Sequence, residues 1–330
     1  VPDISLRFNK DLITITPPAE SYLCTAEDED ALHACLVGLL EPETLEHTYR
    51  MIMATGAQCV SAPTTAFTPA RLRSLGMEAY ADVLASNALE AAHAFSPQHV
   101  LLEANPCNLP FDPSKKADMK EYCSQYTSFG RLFENLNSTQ NATALPLGAD
   151  IMPSLTLSNE DIDGYLLSRF NSLGEMKCAL IGLRKVTDRP IFTSMHFSDN
   201  ALTADSESIE TACRGCEDLE SAVFGIEVDV IENTDFDAAI ELVGRAKAAC
   251  NLPLMVDLVL HERTEKAQAA PGATRTQRQA DALVLKPDIM FDFGLALHKA
   301  GVQFVRASGK ASLSHTAVLA AATTGLDTII

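Results

Sequence analysis

Eight short apolar runs recur along the chain at 12–16, 58–63, 99–104, 150–156, 190–195, 223–228, 254–260 and 302–307, the last reading VQFVRA. Between them lie amphipathic stretches whose apolar residues return every three or four positions, the mark of a helix. The helices expected on this spacing are 42–54, 70–94, 116–135, 162–183, 206–220, 236–249, part of 277–299, and 313–323. Pro42 after Glu41, Asn159 before Glu160 and Asp161, and the pair Thr234-Asp235 supply helix-start cues. Strands that alternate with helices pair in parallel through right-handed crossovers. Eight such units predict an α/β chain closed into a (β/α)8 TIM barrel, a single domain over 1–330, with its site at the carboxyl ends of the strands. A doubly wound open sheet is the competing architecture, but the first strand and its turn, LITITPPAES, contain no glycine for a dinucleotide-type loop.

Composition narrows the partners. Among 330 residues, 44 acidic against 25 basic side chains leave a formal net charge of −19, which opposes phosphate backbones and anionic membrane surfaces. No apolar run is long enough to span a bilayer and no signal-peptide pattern opens the sequence, so a cytoplasmic location is expected. Nine scattered cysteines in a chain of this size are expected to be reduced thiols. Cys213-x-x-Cys216 reads as a pair of helix cysteines, with no second pair nearby to complete a metal site. Two polar inserts, 137–147 and 264–279, are placed to lie over the barrel mouth or on its surface.

Longer runs carry a family likeness. EPETLEHTYRMIMATGAQCVSAPTTAF, from Glu41 to Phe67, its continuation TPARLRSLGMEAYADVLASNALEAAHAF, and the closing GVQFVRASGKASLSHT resemble the homocysteine S-methyltransferase family, which includes the homocysteine-binding barrel of cobalamin-dependent methionine synthase. The resemblance implies a barrel in which three cysteine thiolates hold a zinc ion that keeps the substrate sulfur ionised for attack on a methyl group. At the positions it points to, this sequence has Val228, Ser308 and Gly309, so zinc is not expected there. The family's glycine-rich segment after the first strand is matched by TPPAES, and its acidic residue after the fourth strand by Leu155 or a neighbour. His315 keeps the family's histidine and reads as structural.

The predicted strand ends bring Glu20, Thr64, Thr65, Glu103, Asn105, Ser154, Thr156, His196, Glu227, Asp257, Arg306, Ser308 and Lys310 to the mouth. His196 and Glu227 are the expected catalytic acid–base groups. Thr64, Thr65, Glu103, Asn105, Asp257, Arg306, Ser308 and Lys310 are the expected substrate contacts, with Arg306 and Lys310 able to clamp a carboxylate or phosphate. A harder metal set, drawn from His196, Asp199, Glu227, Asp229, Asp257 and His261, is the alternative to no metal at all. The chain is thus expected to move a methyl group to or from a small polar donor or acceptor. A corrinoid, if one takes part, would sit on a separate protein. A silent barrel serving a methyl-transfer complex, or a lyase or isomerase using Lys310 or His196 as base, are the other readings.

Overall fold

The computed structural model describes residues 3–8, 11–23, 27–136, 161–198, 200–230, 236–261 and 286–324. Its strands are β1 (Ile13–Ile15), β2 (Cys59–Ala62), β3 (His99–Ala104), β4 (Gly164–Phe170), β5 (Ile191–His196), β6 (Val223–Val230), β7 (Leu254–Leu260) and β8 (Phe304–Gly309). They close in sequence order into one barrel in which all neighbours, including β1 and β8, are parallel. The helices are α1 (Glu20–Leu23), α2 (Glu27–Leu40), α3 (Pro42–Met53), α4 (Pro69–Ser74), α5 (Ala81–His93), α6 (Lys116–Glu134), α7 (Leu173–Arg184), α8 (Ile209–Glu217), α9 (Phe236–Ala249), α10 (Ile289–Ala300) and α11 (Leu313–Thr324). No helix among the described residues is long and apolar enough to cross a membrane.

Two expectations are corrected. The fourth barrel strand is GYLLSRF at 164–170, where the spacing predicts the opening of a helix over 162–183; that helix starts only at Leu173. Tyr165, Leu166 and Leu167 are consecutive and buried on both faces of the sheet, and such a run carries no period that separates strand from buried helix. The strand read at 150–156, together with Ser154, Leu155, Thr156 and the helix-start cues at Asn159 and Thr234, lies outside the described residues. The second correction concerns thiols: Cys213 of α8 and Cys250, the residue after α9, are joined by a disulfide with Cα atoms 6.2 Å apart. Cys216 and five further cysteines are free and buried, none of them at the positions matched to the family's zinc ligands.

Alternation along each strand divides the barrel into two compartments. Side chains such as Val60, Leu102, Leu167, Val256 and Val305 face outward into the layer packed under the helices. The inward residues of the lower layers, Ile13, Ile15, Cys59, Leu101, Leu166, Phe192, Val223, Met255 and Phe304, form a separate apolar cluster. The N-terminal turn Ile4–Arg7 closes this cluster from beneath. Phe8 meets Phe192 and Phe304 edge-on, with ring centres 5.9 and 5.7 Å away. The barrel therefore has a largely apolar floor, with His99, paired with Asp163, at its lower edge and the main polar layers above it.

Candidate active site

The first inward layer above the floor is almost wholly polar: Ser61, Glu103, Ser168, Glu227, Asp257 and Arg306, each under 5% exposed. Arg306 stands at its centre. Its Nη2 donates to Glu103 Oε1 at 2.8 Å, and its Nε lies 3.2 Å from Asp257 Oδ2 as an ion pair without hydrogen-bond alignment. Register brings these groups together, because β6 to β8 pair Glu227 with Asp257 and Asp257 with Arg306. Ser61 and Ser168 both donate their hydroxyls to the Glu103 carboxylate. Burial works against the Arg306 charge, but Asp257, Glu103 and Glu227 more than offset it and hold the guanidinium protonated at any ordinary pH.

Two buried carboxyls are pushed the other way. Burial, with a smaller contribution from the charge of Glu103, raises Glu20 from 4.5 to about 8, although Thr65 donates to its Oε1 from Oγ1 at 3.0 Å and from the backbone at 3.3 Å. Burial, then the charge of Asp257, raises Glu227 to about 7 against the opposing 2.6 Å hydrogen bond from the Arg169 amide. A carboxyl held above its unfolded value adds stability that is complete below about pH 4.5 and is lost as pH climbs through its folded value. For Glu20 the affected window runs from 4.5 to about 8 and is worth up to about 5 kcal/mol at 1.36 kcal/mol per pH unit. Glu20→Gln is accordingly expected to raise the urea midpoint at pH 8.5 and to flatten its fall between pH 5 and 8.5; an unchanged slope would show that Glu20 ionises normally.

Above this layer opens a chamber of about 500 Å³. Its charged lining is Glu20, Glu103 and Glu175 with Arg71, Arg169 and Arg306, accompanied by Thr65, Asn105, Asn108 and Asn171. Of the substrate contacts expected from sequence, Thr65, Glu103, Asn105 and Arg306 line it. Asp257 is sealed one step behind, in contact with Arg306. Thr64 donates to the Glu103 backbone carbonyl at 2.8 Å and so shapes the β2–β3 edge. Ser308 is buried two residues beyond Arg306 on the same strand face, and Lys310 follows it in the turn, where its amide donates to Leu260 O at 2.8 Å.

His196 and Glu227 are register partners on β5 and β6 but occupy different surroundings. Glu227 is sealed, whereas His196 sits at the rim with its Nε2 2.7 Å from Asp229 Oδ2. His261 approaches the other oxygen of the same carboxylate, also at 2.7 Å. Asp199 lies outside the described residues, and among the described ones no group of three His, Cys, Asp or Glu is arranged to hold a metal ion.

Arg71, Asn108, Arg169, Asn171 and Glu175 line the chamber without a signal in the sequence that marks them. Three of these follow from the displaced fourth strand, since Arg169 is the penultimate residue of β4 and Asn171 and Glu175 open the next unit. Arg169 has a left-handed φ of 62° at a break in the β4–β5 register, which turns it toward the chamber.

The positions matched to the family's zinc ligands have definite surroundings. Val228 packs outward against the helix-side core, while its neighbours Glu227 and Asp229 take the inward places. Ser308 offers a hydroxyl. Gly309 has φ +66°, and a β-carbon there would lie 2.5 Å from the Leu260 carbonyl oxygen.

A closed parallel barrel with a polar chamber at the carboxyl ends of its strands defines the class of (β/α)8 barrel proteins. Within that class the chain belongs to the homocysteine S-methyltransferase family, whose model matches residues 19–320. Among solved structures it is similar to the homocysteine methyltransferase MmuM from Escherichia coli. The metallated form gives a TM-score of 0.65 at 14% identity, covering 94% of this chain and 96% of that one. The oxidized form gives 0.63 at 15% identity with the same coverage. A GH10 endoxylanase from a sugarcane soil metagenome shares the fold at 0.51 and 6% identity, covering 97% of this chain and 99% of that one. No curated protein matches the chain significantly. Family and fold together support a methyltransferase function.

Proposed function

We propose that this barrel moves a methyl group to or from a small polar substrate in the mouth chamber without the family's three-cysteine zinc site. One observation carries the reading: the buried guanidinium of Arg306, paired with Glu103 and Asp257, stands in the inner layer where the family's strand carries glycine before its zinc-binding cysteines. The residues present do not fit zinc. An outward valine, a hydroxyl and a glycine with no room for a side chain offer no thiolate, and no step of the mechanism is drawn through a metal.

The chamber's size suits a ligand no larger than an amino acid derivative or small peptide. In this reading Thr65, Asn105 and Arg306 orient the substrate and Glu103 anchors Arg306. When the methyl group leaves its donor heteroatom for the acceptor heteroatom, the acceptor gives up a proton. Glu227 lies behind the chamber wall, held by the Arg169 amide, and takes that proton by way of a water from the chamber, its raised pKa placing it near the working pH. His196, oriented by Asp229, exchanges protons with solvent at the rim. The 500 Å³ opening is what a working site requires and a plugged scaffold barrel lacks. A corrinoid donor would be carried by a separate partner protein, and cytoplasmic metabolites are the expected substrates.

The test is transfer of a ¹³C-methyl group from glycine betaine or a methylated corrinoid to homocysteine and related acceptors, followed by NMR, with elemental analysis of the same preparation. Turnover is expected to survive a chelator, and kcat/KM to rise about tenfold per pH unit up to about pH 7, a limb that Glu227→Gln removes. Stoichiometric zinc whose removal abolishes turnover would refute the proposal.

A further inference from the structure

Independently of the methyl-transfer reading, we propose that Cys123 of α6 and Cys178 of α7 are a redox pair that exchanges with small-molecule disulfides and closes into a second disulfide across the barrel's outer ring. Packing places the two together. Gly182 of α7 stands so close to α6 that a β-carbon there would collide with the Cys123 carbonyl oxygen. A β-carbon at Gly130 of α6 would lie 2.6 Å from Val186 Cγ2. Thr127 ties the same seam, its hydroxyl shared between Cys123 O at 3.0 Å and Gly182 O at 2.9 Å. Contacts therefore advance together along both helices, which run parallel and in step. One turn back from Thr127 is Cys123, and one turn back from Gly182 is Cys178. The thiols thus face each other where the backbones come closest, and a disulfide needs its α-carbons within about 7 Å.

The surroundings divide the work between the two sulfurs. Burial, then the facing Cys123 thiol, pushes Cys178 up to about 12, with smaller contributions from Glu175 and Cys107. A thiol held that high keeps its proton at neutral pH and does not open an exchange. Cys123 is 8% exposed against 2% for Cys178, so it meets the oxidant first. Its sulfur bonds to one sulfur of the small disulfide, and the other leaves as a thiol with the Cys123 proton. The Cys178 sulfur then attacks the Cys123 sulfur, displacing the second small thiol, which carries away the Cys178 proton. Two electrons pass from the two cysteines to the small disulfide, and the second step is the slower one.

The next helices of the ring already carry such a link, between Cys213 of α8 and Cys250 after α9. The reduced pair also borders the chamber wall. Cys178 is three residues past Glu175, and Cys107 lies between Pro106 and Asn108; all three of these neighbours line the chamber.

The experiment equilibrates the folded full chain in glutathione buffers from reduced to oxidised, quenches with acid, alkylates the free thiols and maps the peptides by mass. A Cys123–Cys178 link, with the loss of two hydrogens, is expected in addition to Cys213–Cys250. Cys178→Ser is expected to retain one glutathione on Cys123, and Cys123→Ser none on Cys178. Between samples that both keep the Cys213–Cys250 bond, the urea midpoint is expected to rise as the new link forms, with no such rise in Cys178→Ser. Free Cys123 and Cys178 in the fully oxidised buffer, a link from either of them to Cys107, or glutathione on Cys178 rather than Cys123 would each overturn the proposal. Mapping of the parent chain decides between the first two of these outcomes and the expected one even if a serine variant folds poorly.

Discussion

Arg306→Met is expected to cost about 3–5 kcal/mol of stability at pH 8, because it leaves Glu103 and Asp257 as buried carboxylates with their counter-charge gone. The loss has a direction in pH. Without the guanidinium both carboxyls prefer to be protonated in the folded state, so the variant recovers stability as pH falls toward 5, unlike a simple packing defect. Urea unfolding at pH 5 and pH 8 reads this difference. The triple variant Arg306→Met, Glu103→Gln, Asp257→Asn removes the charges together and is expected to regain most of the loss at pH 8. A single Arg306→Met variant within 1 kcal/mol of the parent at pH 8 would show that the cluster is not charged in the folded protein.

The second large effect concerns Gly309. A side chain at φ +66°, with its β-carbon forced to 2.5 Å from Leu260 O, is expected to lower stability by about 2–3 kcal/mol in Gly309→Cys. Placing cysteines at 228, 308 and 309 together is therefore not expected to create a zinc site: the first points to the helices and the third strains the β7–β8 edge. Elemental analysis of the triple-cysteine variant, set beside its urea midpoint, decides this. One zinc per chain with unchanged stability would mean that the last strands can carry the family's ligands after all.

Much of the barrel was legible because its helices have one wet face and its strands are short and separated. Strands β3 and β7 fall where the apolar runs HVLLEA and LMVDLVL place them, and α9 at 236–249 where the 3.6-residue spacing does. The β4 region was illegible for a physical reason. A strand covered on both faces and followed after two residues by a helix reads as one continuous apolar pattern. Helix α2 at 27–40 went unread because it is additional to the eightfold repeat that organised the reading. The site divides along the same line. Thr65, Glu103, Asn105 and Arg306 stand at ends of strands that were placed correctly, so the rule of carboxyl-end sites reached them. Arg169, Asn171 and Glu175 hang on β4 and were lost with it. Burial depth had no linear signature at all: nothing in the string of letters separates sealed Glu227 from rim-exposed His196, two register partners on adjacent strands.

The apolar floor built on Phe8, Phe192 and Phe304 makes the chamber a cul-de-sac among the described residues. Traffic in a cul-de-sac shares a single doorway, so reactant must enter and product must depart on the same side, in turn. If the proposed function holds, a bulky carrier would not pass through but would dock at the threshold and hand its one-carbon cargo inward. The side on which the chamber opens is thus set by aromatic rings at the far end of the barrel, remote from its polar layer.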